Sequence, residues 1–322
     1  MTDLNGARIL VTGGAGFIGS HIVDQALAAG AAHIAVVDDF VRGRPENLAG
    51  ALKTGRVEML EGDICDEALV DRLTSGTDIV FHQAALRITQ CAEEPLRAVR
   101  VMINGTQTVI EAAVRHKVRR VIAASSASVY GEPSYFPIDE AHPFNNRTLY
   151  GAAKVANEQI LRSYNEMYGM DYIMLRYFNA YGPRMDIYGV YTEVIARWLD
   201  RLDHGEAPVI FGDGLQSMDM VYVGDIARAN ILAAQSDVTD DVFNVGSATE
   251  TTLRQLCDLL LDLTGHPELE PQHEPERKVN PVRRRLSSID HIREKLGYEP
   301  RTSLREGLQA VIEWRKASLC VS

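Results

Sequence analysis

The sequence predicts an α/β fold in which a doubly wound parallel sheet is joined to a smaller C-terminal α/β substrate lobe. Three features near the N-terminus predict this class. An apolar run at residues 9–12 leads into a glycine-rich turn, a helix-period segment follows at 17–29, and a second apolar run at 34–37 ends at Asp38. Strand, loop, helix and strand in this order form the β-α-β unit of a Rossmann sheet.

The glycine-rich turn has the spacing of a dinucleotide site. Gly13 would allow the tight turn, Gly16 would let the backbone approach a pyrophosphate, and Gly19 would let the helix pack close to the strand. The N–H groups and positive dipole at the start of the helix favour phosphate. Asp38 would accept hydrogen bonds from the ribose hydroxyls and repel a 2′-phosphate, so NAD is predicted rather than NADP. The alternative is a glycine-rich turn that binds no ligand.

Composition limits the class of protein. A chain of 322 residues with 46% apolar content can form one large α/β domain or two lobes, and a net charge of −11 argues against nucleic-acid binding. The sequence has neither an apolar signal segment nor a run of about 18 apolar residues, so we expect a soluble cytoplasmic protein without a membrane span. The cysteines lack disulfide or metal-ligand spacing, so we expect reduced thiols and no metal site. They are Cys65, Cys91, Cys257 and Cys320.

The next two strands add further cofactor contacts. A strand at 57–60 precedes Asp63, which could accept from an adenine amino group or could instead cap a helix at 67–73. Ile64 could pack on the adenine ring. A strand at 79–82 leads into Gln83, Ala84 and Ala85, and small residues there suit a backbone contact to ribose and nicotinamide. His82 is interpreted as a packed core histidine.

Residues 95–116 have the pattern of one long helix with an apolar stripe. Asn104 interrupts that stripe, and a polar side chain on a buried face must find hydrogen bonds. We expect Asn104 to brace a neighbouring catalytic loop, unless it only satisfies local backbone.

A catalytic arrangement follows the fifth strand, residues 120–124. Ser126 lies where this strand ends, and a helix at 150–168 carries Tyr150 and Lys154 on one face. A phenol with a pKa of about 10 is a poor base at neutral pH, but an ammonium and the positive nicotinamide ring both favour the phenolate. Lys154 would supply that ammonium, and Ser126 could hold the same substrate oxygen. Taken alone, a Tyr-x-x-x-Lys pair can also lie on a solvated helix face.

Together with the segment 176–184, these motifs resemble the extended short-chain dehydrogenase/reductases that modify nucleotide sugars, over nearly the whole chain. The resemblance implies tightly held NAD, a Ser-Tyr-Lys active site, a C-terminal lobe for a UDP-sugar, and a homodimer formed by the helices 95–116 and 150–168. It also implies an NAD-binding domain of residues 1–178, to which 221–247 return, and a nucleotide-sugar lobe of residues 179–220 and 248–322.

Motifs and resemblance together give a full set of expected contacts. The expected cofactor-binding residues are Gly13, Gly16, Phe17, Ile18, Gly19, Asp38, Asp39, Asp63, Ile64, Gln83, Ala84, Ala85, Asn104, Tyr150, Lys154 and Tyr177. The expected substrate-binding residues are Arg87, Ser126, Ser128, Asn179, Val194, Phe211, Gln216, Met218, Arg283 and Arg285. Phe211 would hold the uracil, and Asn179 would hold the diphosphate.

The residues after Ser126 distinguish the reactions of this group. Sugar-nucleotide 4,6-dehydratases have an Asp-Glu pair there, because elimination of water needs an acid and a base, and the decarboxylases have Glu where this chain has Ser128. Here the pair is Ala127 and Ser128, which is closest to the 4-epimerases. The alternative outside catalysis is an NAD-binding sensor, but sensors typically lack the active-site Tyr or Lys.

The remaining segments predict the second lobe. A helix is predicted at 191–201, a strand at 209–212 and a turn at 212–214. The segments 221–223, 225–234 and 242–246 would return to the cofactor lobe. Capping boxes at Thr252 and Ser303 would start helices at 253–263 and 304–316, and the charge run 268–285 would be solvated.

Met218 departs from the resembled family, which usually has an arginine there that grips the diphosphate. A compensating cation is expected from Arg277, Lys278, Arg283, Arg284 or Arg285, with Arg283 aligned best. Arg285 is large enough to exclude a C2 N-acetyl group, or could pair with a C6 carboxylate, unless it faces solvent. The expected substrates are therefore UDP-glucose/UDP-galactose first and UDP-glucuronate/UDP-galacturonate second.

Overall fold

The structure is a computed structural model that describes residues 4–187, 194–275 and 282–319. The strands of these residues are β1 (Arg8–Thr12), β2 (His33–Asp38), β3 (Val57–Glu61), β4 (Ile79–His82), β5 (Arg120–Ser126), β6 (Tyr172–Tyr177), β7 (Asn179–Tyr181), β8 (Val209–Phe211), β9 (Ser217–Tyr222), β10 (Asp241–Val245), β11 (Glu250–Thr252) and β12 (Gln272–Glu274). The α-helices are α1 (Phe17–Ala28), α2 (Ala49–Leu52), α3 (Glu67–Thr74), α4 (Ile88–Glu93), α5 (Pro95–Val99), α6 (Thr106–Arg115), α7 (Leu149–Tyr168), α8 (Val194–Asp203), α9 (Val223–Gln235), α10 (Leu253–Thr264), α11 (Asp290–Leu296) and α12 (Leu304–Leu319). Short 3₁₀ turns lie at Pro45–Leu48 and Ala127–Val129, and a π-helical segment at Arg100–Gly105.

Seven strands form the central sheet in the order β10-β6-β5-β4-β1-β2-β3, and every pair is parallel. The strand order reverses between β1 and β4. In sheets of this kind, that reversal opens a crevice at the carboxyl ends of the two strands. The predicted Rossmann fold is confirmed.

Helices cover both faces of the sheet because its strands are apolar on both sides. Ile9 and Val11 of β1 lie in a core cluster with α1 and α9, whereas Leu10 faces a second cluster with α3, α6 and α7. The alternation follows from the two-residue period of a strand. The carboxyl ends of the strands are therefore held from both sides.

The predicted long helix at 95–116 is interrupted by a π-helical segment, Arg100–Gly105, between α5 and α6. A π turn takes an extra residue, which shifts the phase of a 3.6-residue pattern. Asn104 is consequently exposed, and the prediction that it lies on the buried face is wrong. Thr106 is the buried polar residue there, with its Oγ1 2.9 Å from Nε2 of His82.

The C-terminal lobe contains a three-stranded sheet, β11-β9-β7, and a parallel pair, β12-β8. Its core cluster is built from α8, α10 and α12. The capping box at Thr252 is confirmed, and Ser303 and Glu306 exchange the same reciprocal hydrogen bonds before α12. Val221 and Tyr222 belong to β9 of this lobe rather than to the central sheet, whereas α9 packs on α1 and β10 pairs with β6.

Some predicted features lie outside the described residues. These are the first part of the helix at 191–201, the candidate cations Arg277 and Lys278, and Cys320. In the described ranges, no helix is both long enough and apolar enough to cross a membrane.

Candidate active site

A cleft of about 470 Å³ lies at the carboxyl ends of the central strands and is lined by both lobes. It brings together most of the residues that the sequence predicted. Those that line it are Gly13, Gly16, Phe17, Ile18, Gly19, Asp38, Asp39, Asp63, Ile64, Gln83, Ala84, Ala85, Arg87, Ser126, Ser128, Tyr150, Lys154, Tyr177, Asn179, Val194, Met218 and Arg285. Asn104, Phe211, Gln216 and Arg283 do not line it.

The glycine loop has the geometry of a phosphate site. Gly13 has a φ of +67°, and a Cβ there would lie 2.7 Å from the backbone nitrogen of Ala84. A Cβ on Gly19 would lie 2.2 Å from the carbonyl oxygen of Gly13, which explains why helix and turn need glycine. α1 begins after Gly16 with no side-chain cap and no acidic residue in its first turn, so its N-terminus can receive an anion.

Asp38, the last residue of β2, binds the backbone of this loop. Its carboxylate accepts hydrogen bonds of 3.0 Å from the backbone N–H groups of Ala15 and Phe40. Burial raises the pKa of Asp38, and these hydrogen bonds oppose that shift. The acid therefore joins the glycine loop to the end of β2, and the loop, the uncapped start of α1 and this acid fit NAD. The contact between Asp38 and ribose stays a prediction.

Asp63 does not cap a helix. Asp66 is the N-cap of α3, accepting from the backbone N–H of Leu69 at 3.0 Å. Asp63 instead accepts from the backbone N–H of Cys65 at 2.9 Å and pairs with Arg100 at 3.3 Å. The N-cap alternative is wrong, and the contact between Asp63 and adenine stays a prediction.

The three predicted catalytic residues come from two elements. Ser126 ends β5, while Tyr150 and Lys154 lie on the first turns of α7, which starts at the N-cap Thr148. The Nζ of Lys154 donates a 2.6 Å hydrogen bond to the carbonyl oxygen of Ala124 and lies 5.8 Å from the centroid of the Tyr150 ring. All three side chains face the same cleft.

The pKa shifts of Tyr150 and Lys154 differ in part from those that the sequence predicted. Burial raises the pKa of Tyr150, and a hydrogen bond with Ser126 opposes that shift. Burial also lowers the pKa of Lys154 to about 8, against the attraction of Cys91 and Glu158. Desolvation of the phenol, which the spacing of Tyr150 and Lys154 does not reveal, is therefore the largest influence on the pKa of Tyr150.

The hydroxyls after Ser126 form a small cluster. The backbone N–H of Ser128 donates to Oγ of Ser126 at 3.1 Å, and Oγ of Ser126 lies 3.2 Å from Oγ of Ser128. The 3₁₀ turn Ala127–Val129 produces this geometry. The loop therefore presents two hydroxyls, and no carboxylate, to the cleft.

Tyr177 is held by an amide pair. Its hydroxyl lies 3.0 Å from Oε1 of Gln83 and 3.0 Å from Oδ1 of Asn230. Burial raises the pKa of Tyr177. Asn230 was not foreseen, because a fully buried Asn in the middle of α9 gives no local sequence signal.

The three consecutive arginines of the basic run have different partners. Arg283 pairs with Asp213 at 2.7 Å, and Arg284 forms two 2.8 Å hydrogen bonds with Glu250, all on the exposed surface. Arg285 lines the cleft, and burial lowers the pKa of its guanidinium. The prediction that Arg283 faces the substrate is therefore corrected, because Asp213 holds its side chain outside the cleft.

Two further predicted substrate contacts also lie outside the lining. The side-chain amide of Gln216 donates to the carbonyl oxygen of Phe211 at 2.6 Å. This bond links β8 to the start of β9 and occupies the amide. The role of Phe211 toward uracil stays a prediction.

An ion cluster across the cleft was missed. Oδ2 of Asp186 lies 3.4 Å from Nη2 of Arg87 and 3.6 Å from Nε of Arg42. The cluster joins the loop after β2, the start of α4 and the segment after β7. Such pairing between distant segments has no local sequence pattern that could have revealed it.

The sequence matches the family described as "NAD dependent epimerase/dehydratase family" over residues 9–246. The chain is similar to the UDP-glucose 4-epimerase of Mycolicibacterium smegmatis, with 36% identity over 95% of this chain and 98% of the relative. It is also similar to a dTDP-glucose 4,6-dehydratase of Actinoplanes sp., with 33% identity over 97% of this chain and 98% of the relative.

Solved structures show the same fold. A crystal structure of UDP-glucose 4-epimerase with UDP-glucose from Thermotoga maritima has a TM-score of 0.90 and 38% identity, covering 97% of this chain and 99% of the other. A UDP-N-acetylglucosamine 4-epimerase from Methanobrevibacter ruminantium, in complex with UDP-N-acetylmuramic acid, has a TM-score of 0.92 and 34% identity, covering 98% and 99%.

Proposed function

We propose, from the premise that this chain belongs to the NAD-dependent epimerase/dehydratase family and modifies a nucleotide sugar, that its reaction is the C4 epimerisation of a UDP-hexose. The observation that carries the proposal is the loop after Ser126. Ser126, Tyr150 and Lys154 share one cleft, and the residues that follow Ser126 add only the hydroxyl of Ser128. A base and a hydrogen-bonding hydroxyl suffice for epimerisation, whereas dehydration needs a further acid–base pair.

The cofactor of this family is NAD, which when bound would supply a reversible hydride acceptor for the sugar C4. The glycine loop, α1 and Asp38 are the residues that would hold it. Tyr150 takes the proton from the sugar O4 and later returns it, and Ser126 orients that oxygen. Lys154 favours the phenolate through its charge. Return of the hydride to the same carbon would leave no net oxidation, and presentation of the opposite face of the sugar ring for that return would invert C4.

The carboxylates of the cleft support epimerisation over dehydration. Asp38 is bound to the glycine loop, Asp63 to Arg100, and Asp186 to arginines. Asp39 lies 3.9 Å from Arg97. These acids belong to the cofactor side or to ion pairs, and none of them directly follows Ser126 in the sequence, where the dehydratases have their Asp-Glu pair.

The position of Arg285 in the cleft supports a restricted range of sugar substrates. It lines the same cleft as Ser126 and Ser128, whereas Arg283 and Arg284 pair with surface acids. We assign to Arg285 the diphosphate contact that Met218 cannot make, because its guanidinium lines the cleft and can form charge-assisted hydrogen bonds with a phosphate. Its size also disfavours a C2 N-acetyl group. UDP-glucose/UDP-galactose is therefore the first candidate pair.

The second candidate is UDP-glucuronate/UDP-galacturonate, in which Arg285 would instead pair with the C6 carboxylate. The same position near Ser126 and Ser128 supports it, since both hydroxyls could assist in binding that carboxylate. The two candidates differ in the group that Arg285 contacts, and that group can be tested.

The helical surfaces support a homodimer. Leu96 is 87% exposed, and Val99 is also exposed, in the helical segment that begins at Pro95. Met167 and Tyr168, 59% and 58% exposed, lie at the end of α7. Exposed apolar patches often mark protein–protein interfaces, so we expect a dimer in sedimentation experiments. The free thiols of Cys65, Cys91 and Cys257 support a reducing, cytoplasmic compartment.

The test is a substrate panel. The purified protein is incubated separately with UDP-glucose, UDP-glucuronate and UDP-N-acetylglucosamine, and the anomeric proton signals are followed by NMR. Epimerisation gives an equilibrium between two C4 epimers without added cofactor. A 4-keto-6-deoxy product or loss of the C6 carboxyl group would refute the proposal in favour of dehydration or decarboxylation. Rapid turnover of the N-acetylated sugar would refute the exclusion by Arg285.

A further inference from the structure

Behind the catalytic residues lies a buried ion pair that the proposed mechanism does not use. Glu158 of α7 and Arg176 of β6 have side chains 6% and 3% exposed. Oε1 of Glu158 accepts from Nε of Arg176 at 2.9 Å, and Oε2 accepts from Nη2 at 2.6 Å. A buried pair with two parallel hydrogen bonds has one preferred geometry, so it fixes α7 relative to the sheet.

The same carboxylate also reaches the strand of the catalytic serine. Ser125, the residue before Ser126, donates from its hydroxyl to Oε1 of Glu158 at 2.5 Å. Ser125 is paired with Arg176 in the β5–β6 register, so one carboxylate binds neighbouring positions of two strands. The end of β5 therefore cannot shift along α7 without breaking hydrogen bonds to a buried charge.

Arg176 also binds residues that follow Ser126 in the chain. Its Nη1 donates to the hydroxyl of Tyr130 at 2.8 Å and to the carbonyl oxygen of Glu140 at 3.0 Å. The Tyr130 hydroxyl donates to Oδ1 of Asn244 at 2.6 Å. Ser126 thus lies in the chain between Ser125, which binds Glu158 directly, and Tyr130, which binds Arg176, the partner of Glu158.

Glu158 also lies one helical turn from Lys154, which lies one turn from Tyr150, so the three residues follow one face of α7. The ionisable groups that face Lys154 are Cys91 from α4, His82 from β4, and Tyr150 and Glu158 from α7. Burial lowers the pKa of His82 to about 3, so His82 is neutral. Burial raises the pKa of Cys91, whereas the carboxylate of Glu158 is held in the salt bridge with Arg176, and Cys91 and Glu158 are the two groups whose charge would raise the pKa of Lys154.

We propose that Glu158 is a positioning residue of the active site: it fixes Tyr150 and Lys154 against Ser126, and its charge keeps Lys154 in the ammonium form. The inference rests on the proposed epimerase, because it assigns Ser126, Tyr150 and Lys154 their roles. Glu158 does not itself touch the substrate, so its effect passes through these neighbours.

Two variants change the charge and the reach of this side chain. Glu158→Gln keeps one acceptor oxygen but removes both the charge and the second acceptor for Arg176, and Glu158→Asp keeps the charge and both oxygens but withdraws them by one methylene. We expect Glu158→Gln to lower kcat by about 10²-fold, the size expected when a reacting group moves by about 1 Å, with little change in KM. Glu158→Asp should lower kcat less.

The effect of the Glu158 charge on the pKa of Lys154 can be measured without substrate and without turnover. In protein labelled with ¹³C at the lysine Cε, the Lys154 signal is assigned by its absence in Lys154→Met, and its titration is followed by NMR. In Glu158→Gln we expect the pKa of Lys154 to fall by about one unit, the low end of the effect of a nearby opposite charge. In Glu158→Asp the pKa of Lys154 should fall by less than in Glu158→Gln, because the charge is kept.

Glu158→Gln leaves Arg176 buried without its carboxylate and could fail to fold. Ser125→Ala removes only one hydrogen bond and keeps the ion pair. It should lower kcat several-fold with KM and the Lys154 titration unchanged, whereas parent kcat in a folded Ser125→Ala protein would refute the positioning role. A folded Glu158→Gln protein with parent kcat and parent Lys154 titration overturns the inference.

These experiments distinguish failure of the epimerase proposal from failure of the proposed role of Glu158. If the parent enzyme epimerises no sugar nucleotide but the Lys154 titration responds to Glu158→Gln, the epimerase proposal fails and the charge role of Glu158 stands. If the parent enzyme epimerises and neither kcat nor the titration responds, the role of Glu158 fails alone.

Discussion

The ammonium nitrogen of Lys154 donates a 2.6 Å hydrogen bond to the carbonyl oxygen of Ala124, at the end of the strand that carries Ser126. This bond joins the helix of the proposed base to the strand of the proposed hydroxyl. It also places a cation beside the partly buried phenol of Tyr150, whose pKa burial raises. The geometry therefore places a charge where it would favour the phenolate of the proposed base.

Tyr150→Phe should keep the fold, the bound NAD and substrate affinity but lose turnover. General-base contributions are about 10²–10⁴-fold, so we expect kcat to fall by that amount and KM to change little. The measurement is the initial rate of epimerisation with NAD content determined on the same samples. Near-parent turnover in a variant that retains NAD would exclude Tyr150 as the base.

The pH dependence follows from Lys154. Burial lowers the pKa of its ammonium to about 8, so the charge is present below that pH and lost above it. Because the phenolate needs the cation, kcat should decrease as pH rises through about 8, or through a lower value when the positive nicotinamide ring is bound. Lys154→Met should have low kcat across the range and lack this alkaline limb. The same limb in Lys154→Met would assign it to another group.

The sequence predicted those parts of the site that depend on local patterns. The β-α-β unit, the glycine spacing and the helical spacing of Tyr150 and Lys154 are all visible within short segments. The exposure of Asn104 could not be predicted, because a π segment breaks the assumed 3.6-residue period. The choice between Arg283 and Arg285 depends on Asp213, which is distant in sequence. Where such a side chain lies depends on partners that are distant in sequence.

Gly19→Ala should reduce NAD retention and stability. The added Cβ would lie 2.2 Å from the carbonyl oxygen of Gly13, a backbone atom that cannot move without opening the loop. Overpacking of this kind costs about 1–3 kcal/mol. Thermal unfolding and the NAD content after purification measure the effect.

Gly50→Ala is the matched control, because a Cβ there meets nothing within 4 Å in the short helix α2. It should be neutral or stabilising by up to about 1 kcal/mol. Equal losses of stability and NAD in both variants would contradict the close-contact argument.

Arg285→Gln should raise KM strongly for every UDP-sugar that the enzyme accepts. Loss of a hydrogen bond to a charged group costs about 1.5–3 kcal/mol, which corresponds to roughly 10–100-fold in KM. Arg283→Ala should change KM by less than about threefold, since Asp213 holds that guanidinium outside the cleft. The measurement is KM for UDP-glucose and UDP-glucuronate in both variants. A strong rise in Arg283→Ala alone would restore the sequence-based assignment.

Met218→Arg should rescue Arg285→Gln if Arg285 contacts the diphosphate. Met218 lines the cleft on β9, beside the backbone bond between Ser217 and Arg285, so an arginine there would place a guanidinium near the same anion. We expect the double variant to recover most of the lost affinity for UDP-glucose and UDP-glucuronate alike. If Arg285 instead binds the C6 carboxylate, Arg285→Gln should weaken UDP-glucuronate alone, and an arginine at position 218 should not restore it. Comparing KM for the two sugars in the parent, both single variants and the double variant therefore identifies the group that Arg285 contacts.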